Sequence, residues 1–307
     1  MRRLVWSAKP ILTEIRDRAW LALHPYSKEY RIDGSKNRNI NSAYANSSNE
    51  PNFQKLLEKF KIELREKINS RDSFSYYKFG DGDYYFLEGI PKGSAKPGNR
   101  AISRTLTSSE LLVFQRNSEL CDSYLCEIPM ENRDLFMKAF PGKTISYPAE
   151  FVYGLLANRW FTREFSQQVG VIGADTKIDL IKVLMEKPSY QEYLGLSSFR
   201  SYLTVPQKFA CDDLETRYSK LKQEVLESEC RFFLVGVGHL KSGILGRLAR
   251  DTNSVILDVG SGIDALAGVI SGHRPYFGGW TNFQCRDEFD YSKVDYLQYK
   301  NSRIANV

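Results

Sequence analysis

Two apolar runs late in the chain, Phe232–Val237 and Ser254–Val259, flank a short segment with helical patterning, Ser242–Arg250. Neither run alternates with polar residues, so each reads as a strand buried on both faces rather than on one. Two such strands joined by a helix form a parallel pair with a right-handed crossover, and a parallel sheet needs helices over both of its faces. The fold expected from this unit is α/β and Rossmann-like, with a mostly parallel sheet covered by helices on either side.

The preceding sequence repeats that alternation. Phe53, Leu56, Leu57, Phe60, Leu64 and Ile68 make a continuous apolar stripe on a helix begun near Pro51. Thr107-Ser108-Ser109-Glu110 is a capping box that opens a helix from Ser108 to about Asn117, and Tyr124–Ile128 follows as a short strand. Helices are expected at Glu131–Phe140 and Glu150–Trp160, a strand at Val169–Gly173, a helix at Thr176–Glu186 and a strand at Arg200–Val205. Leu214, Tyr218, Leu221 and Val225 mark what should be the longest helix, Asp212–Glu229. Strands that end in glycine before a helix leave N–H groups facing outward, where α/β folds bind anions. Gly173, Asp175, Gly236 and Gly238 are therefore candidates to line a nucleotide cleft.

The densest chemistry lies in Phe74-Ser75-Tyr76-Tyr77-Lys78-Phe79-Gly80-Asp81-Gly82-Asp83. Aromatic, alternating residues favour a pleated strand, and the glycines around Asp81 let the backbone turn sharply and approach a ligand. Two carboxylates two residues apart can converge on one hard cation, and such a cation can hold phosphates. The same residues would also serve a plain turn. Beyond them, Gly89–Arg100 reads as a long loop carrying Lys92, Lys96 and Arg100, which is either a cover for a diphosphate or an ordinary solvated loop.

Lys78-Phe79-Gly80-Asp81-Gly82-Asp83 resembles the basic-Phe-Gly-Asp-Gly-Glu signature of the GT-D-type glycosyltransferases, with Asp83 where that family has Glu. Phe232–Gly238, the helical segment after it and Val255–Gly260 resemble the closing strand-helix-strand unit of the same family, although Ser261 stands where His is common. The resemblance spans roughly residues 53–285 in element order but is carried by these two motifs. It implies a metal-dependent glycosyltransferase with a nucleoside-diphosphate sugar as donor and Mn²⁺ or Mg²⁺ as cofactor. In that reading Asp81 and Asp83 hold the metal. Lys78, Gly80, Asp81, Gly82 and Asp83 meet the nucleotide, with Lys78 either touching it or pairing with the acids. Asp258, at a strand's carboxyl end, and His239, beyond the neighbouring strand, are the candidates for the base that activates an acceptor hydroxyl. Either residue would otherwise be structural.

Two other functions compete. Leu257-Asp258-Val259-Gly260-Ser261-Gly262-Ile263-Asp264 is similar to the glycine-rich first motif of S-adenosylmethionine-dependent methyltransferases. In those enzymes the motif follows the first strand of the sheet, whereas here it comes late in the chain. The third reading is a basic nucleic-acid-binding protein, prompted by a net charge of +6 and 13% aromatic residues. Nine Lys/Arg against five Asp/Glu in residues 1–50 place +4 of that charge in the N-terminal arm, so the body is nearly balanced.

The arm, residues 1–52, contains an amphipathic stripe of Leu12, Ile15, Ala19 and Leu23 followed by an Asn- and Ser-rich linker over 27–52. Such a helix suits an anionic membrane surface through residues 1–27, the body of the protein, or a second subunit in a homo-oligomer. The first alternative would place the enzyme at the inner face of a membrane with a lipid-linked glycan as acceptor. Residues 53–285 form the expected catalytic domain, and 286–307 read as a polar tail. Before that tail, His273–Trp280 is an aromatic, glycine-rich loop fit either to stack on a sugar or to cap the sheet. No apolar stretch reaches membrane-span length and the N-terminus lacks a secretory pattern, so a cytoplasmic protein is expected. Five cysteines without a Cys-x-x-Cys pair, and three scattered histidines, argue against a disulfide framework and a zinc site.

Overall fold

The computed structural model describes residues 53–70, 72–269, 280 and 283. The arm at 1–52 with its membrane-facing candidate, most of the aromatic loop at 273–280 and the tail at 286–307 lie outside the described residues. In chain order the elements are α1 (Phe53–Ser70), β1 (Phe74–Phe79), α2 (Asp81–Leu87), α3 (Ser108–Ser118), β2 (Ser123–Cys126), α4 (Met130–Ala139), β3 (Tyr147–Pro148), α5 (Glu150–Ala157), α6 (Trp160–Glu164) and β4 (Val169–Ala174). There follow α7 (Asp175–Met185), α8 (Pro188–Leu194), β5 (Tyr202–Val205), α9 (Leu214–Glu227), β6 (Phe232–Gly236), α10 (Lys241–Thr252), β7 (Val255–Asp258) and α11 (Gly262–Leu266), with short 3₁₀ turns at Gly93–Ala95 and Gly238–Leu240.

The strands form one seven-stranded sheet in the order β3-β2-β1-β7-β6-β4-β5. Every pairing is parallel. Alternate side chains divide between two cores. Tyr76, Val171, Leu234 and Leu257 meet α1, α5, α7, α8 and α11 on one face. Tyr77, Phe79, Val235 and Ile256 meet α2, α3, α4, α9 and α10 on the other. This is the three-layer α/β arrangement that strands apolar on both sides require.

Several sequence expectations change in detail. The predicted helix at 150–160 is two helices, α5 and α6, because Arg159 adopts a left-handed conformation with φ 59° between them. The longest described helix is α1, with 18 residues, rather than α9, with 14. Tyr84–Leu87 belongs to α2, so the acidic turn after β1 is the first turn of a helix. Trp280 lies in the first core, where its indole donates to the Ala157 carbonyl and its ring meets Tyr193 edge-on, so this residue packs rather than walling a pocket.

α10 fixes much of the site. Ile244, Leu245 and Leu248 are completely buried, and transfer of three such side chains contributes about 5–9 kcal/mol. Gly243 and Gly246 let the helix approach closely, since a Cβ on either would fall under 3 Å from Leu214 or Leu120. That packing carries the first residue of the helix, Lys241, into the interior, and its scale is enough to offset the several kcal/mol that burying one ammonium costs.

Candidate active site at the mouth of β1 and β7

A parallel sheet opens at its carboxyl edge where neighbouring strands send their continuations to opposite faces. β1 and β7 pair side by side, with Tyr76 opposite Leu257. β1 continues into α2, whose Phe86 and Leu87 lie in one core, and β7 into α11, whose Ile263 and Leu266 lie in the other. The candidate residues from both strands meet at this mouth.

Lys241 is its centre. Its ammonium donates to Asp258 Oδ2 at 2.8 Å, contacts Asp83 Oδ2 at 2.9 Å and donates to the Lys78 carbonyl. Those three acceptors match the three N–H donors of a lysine. Tyr77 lies beneath, its ring centroid 4.6 Å from Lys241 Nζ and its hydroxyl 2.7 Å from Ser242 Oγ. Asp258 Oδ1 accepts from Gly260 N at 2.8 Å, and Asp83 Oδ2 accepts from Gly80 N at 2.8 Å as the return half of a helix cap. Burial alone would raise the Asp83 carboxyl, but Lys241, with His239 beside it, holds it well below the ordinary carboxylate range. Burial would likewise lower the Lys241 amine, and Asp258 and Asp83 raise it instead.

His239 stands over Asp83. Its Nδ1 is 3.4 Å from Asp83 Oδ1, long for a strong hydrogen bond, and its Nε2 is 2.6 Å from Ser94 Oγ. The ring stacks on Phe86 with centroids 4.7 Å apart and planes 2° from parallel. Gly238, at φ +59°, turns the chain to deliver it, and Gly82 leaves room for it, because a Cβ there would come within 3.3 Å of His239 Cε1. Thus Gly80, Gly82 and Gly238 serve the placement of Asp83 and His239.

The expected metal pair is divided. Asp81 is exposed, with its Oδ1 accepting from Gly82 N, whereas Asp83 is buried with one oxygen filled by Gly80 and Lys241 and the other facing His239. A divalent cation on Asp83 would have to sit beside the ammonium that already compensates it, so Asp83 does not fit a metal-ligand role. One exposed carboxylate does not make a site, and among the described residues no group of three His, Cys, Asp or Glu side chains is placed to hold a metal ion. Nor does Lys78 form an ion pair with either acid: its Nζ lies 5.2 Å from the Tyr153 ring centroid, and Gly80 stands between it and Asp83 Oδ2, a Cβ there being 3.9 Å from each.

Gly173 and Gly236 do not line an open cleft either. They face each other across β4 and β6, and a Cβ on them would fall 2.9 Å and 2.4 Å from Ile263, which fills the space between. Asp175 is the first residue of α7, its Oδ1 accepting from Thr176 N at 2.7 Å. In the glycine-rich run after β7, Asp258 is committed to Lys241 and Gly260, while Gly262 packs against Leu156. In the basic loop, Lys92 is held by Tyr85, donating to its hydroxyl at 2.7 Å, and an apolar pocket lies between Phe86, Pro91, Ala95, Ile102, Leu106 and Leu111.

Sequence reasoning missed Lys241 and Ser94. A signal for Lys241 existed, because a lysine beginning a helix runs against the helix dipole and calls for a local anion. Ser94 had none, since its contact with His239 depends on how the loop folds back.

No family model, curated protein or solved structure matches the chain. Among the described residues no helix is long and apolar enough to cross a membrane.

Proposed function

We propose that this protein is a glycosyltransferase that moves a sugar from a nucleoside-diphosphate sugar to an acceptor hydroxyl. The observation that carries the reading is His239, held between the Asp83 carboxylate and a hydroxyl, Ser94 Oγ, at the mouth of the sheet. The 2.6 Å contact marks a position where an alcohol oxygen meets Nε2 at proton-transfer distance. An acceptor hydroxyl in that position gives its proton to Nε2, and its oxygen forms the new bond to the anomeric carbon of the donor. The bond from that carbon to the diphosphate oxygen breaks, and the diphosphate leaves with the electron pair. Asp83 orients the imidazole and stabilises its charged form, while Lys241 keeps Asp83 ionised in a buried setting. The resemblance of Lys78–Asp83 to the GT-D signature supports the same reaction class.

The test is turnover of a panel of UDP-, GDP-, CDP- and TDP-sugars, followed by mass spectrometry of the nucleoside diphosphate released, alongside thermal shifts with each diphosphate and with S-adenosylhomocysteine. Release of one nucleoside diphosphate, lost in His239→Asn, is expected. Stabilisation by S-adenosylhomocysteine alone would replace this reading with a methyltransferase.

A further inference from the structure

Lys78 differs from every other charged group at the mouth. It is 8% exposed, yet among the described residues its Nζ meets no carboxylate and no hydrogen-bond acceptor, only the face of Tyr153 at 5.2 Å. Lys241, equally buried, has three acceptors for its three donors. Burying an ammonium without such partners costs several kcal/mol, and a weak ring contact does not repay it. The side chain is held in place by Gly260, whose φ is +50° and where a Cβ would lie 2.7 Å from Lys78 Cε. On the other side is Gly80, whose Cβ position is 3.9 Å from Nζ. The ammonium therefore lies between the turn that follows β1 and the turn that follows β7. A second polar group on the latter turn is also unanswered: Ser261 Oγ is buried without a hydrogen-bond partner.

We infer that Lys78, with the Gly260-Ser261 turn, forms a metal-independent site for a diphosphate, the leaving group of the proposed donor. The inference rests on the glycosyltransferase reading for the identity of the ligand but on Lys78 itself for its chemistry. A diphosphate supplies the anionic acceptors that Lys78 lacks, and the Ser261 hydroxyl can donate to a second oxygen. As the sugar–diphosphate bond breaks, charge grows on the departing oxygen beside a fixed cation in a water-poor setting, which is where electrostatic stabilisation is most effective. The divided acidic pair is consistent with this, since Asp83 already has its cation in Lys241.

The experiment is calorimetric titration of inorganic pyrophosphate, and of UDP, GDP, CDP and TDP, into the full chain in EDTA, with wild type, Lys78→Met, Lys78→Arg and Ser261→Ala. Wild type should bind pyrophosphate without metal. Lys78→Met should weaken it at least tenfold, with Ser261→Ala and Lys78→Arg in between. The melting temperature of ligand-free Lys78→Met should equal or exceed that of wild type, because an uncompensated buried charge is gone. Binding that needs added Mn²⁺ or Mg²⁺, or that is indifferent to Lys78→Met, overturns the inference. If Lys78→Met fails to fold, the comparison of Lys78→Arg and Ser261→Ala with wild type decides, and unchanged affinity in both overturns it. Pyrophosphate held through Lys78 with no sugar nucleotide turned over leaves the site standing and removes the glycosyltransferase reading. Turnover of a sugar nucleotide with binding indifferent to Lys78 does the reverse.

Discussion

Ser94 Oγ and His239 Nε2 are 2.6 Å apart although their residues are separated by 145 positions in the chain. The contact ties the 3₁₀ turn Gly93–Ala95 over the imidazole and occupies the nitrogen that an acceptor would use. Any acceptor must displace that hydroxyl or share the nitrogen with it.

Ser94→Ala is accordingly expected to leave kcat within a few-fold of wild type and to lower the acceptor KM, since one competitor for Nε2 is removed. His239→Asn should lower kcat by about 10²–10⁴-fold, the range of a lost general base. Steady-state kinetics on the two variants separates these effects. If Ser94→Ala is as inactive as His239→Asn, Ser94 takes part in the chemistry and the acceptor assignment fails.

The two acids of the signature should behave unlike each other. Asp81 is exposed and among the described residues bonds only its own turn, so Asp81→Asn should change stability by about 0.5 kcal/mol or less. Asp83→Asn removes one of the two carboxylates that hold a buried ammonium, and a loss of about 3–5 kcal/mol is expected. Urea denaturation of both variants checks this, and equal stabilities would mean that Lys241 does not depend on Asp83.

How far the sequence anticipated this molecule follows from the range of each interaction. Strand and helix identity at β4, β6, β7 and α10 follows from apolar runs and periods inside each segment, and all four elements form where expected to within two or three residues. The helix α3 was readable to its cap, because Thr107 and Glu110 meet across three residues. Asp83, His239 and Asp258 were legible as site candidates because each follows or ends a strand. What they do was not, because it depends on Lys241, which reaches Asp83 and Asp258 only after α10 packs across β1. Gly173 and Gly236 show the same limit: a glycine ending a strand is equally suited to a ligand or to a neighbouring side chain, and only the fold brings Ile263 to them.

That packing role gives a third prediction. Gly173→Ala places a methyl group 2.9 Å from Ile263 Cγ2, closer than atoms of a settled core approach, and should cost about 1–3 kcal/mol. In an Ile263→Ala background the same substitution should cost less, because the tightest contact is gone and only the milder one with Ile178 Cδ1 at 3.3 Å remains. A double-mutant cycle by denaturation measures the coupling. Additive costs would show that room for Ile263 is not what Gly173 supplies, and would leave Ile178 as the neighbour that limits it.

The last prediction concerns pH and the single cation between two acids. In the folded protein Asp83 is held below its ordinary range, so its contribution to stability is present above the unfolded carboxyl value, about 3.9, and is lost as pH falls below it. Lys241→Met reverses the sign. Asp83 and Asp258 would then face each other in the interior with no ammonium between them, while His239 and Tyr77 border the same space and the Lys78 ammonium stands beyond Gly80. Burial and mutual repulsion raise at least one of the two carboxyls above its unfolded value. A raised acid destabilises the fold increasingly as pH climbs past about 4, so the variant should be weakest near neutrality and recover on acidification. The expected deficit relative to wild type is about 3–5 kcal/mol at neutral pH, and it should shrink clearly at pH values about one unit above the unfolded carboxyl value. Urea denaturation of both proteins at the two pH values measures it. A deficit that does not change between them would mean that Lys241 supports the fold through its packing, and not as the cation that two buried carboxylates require.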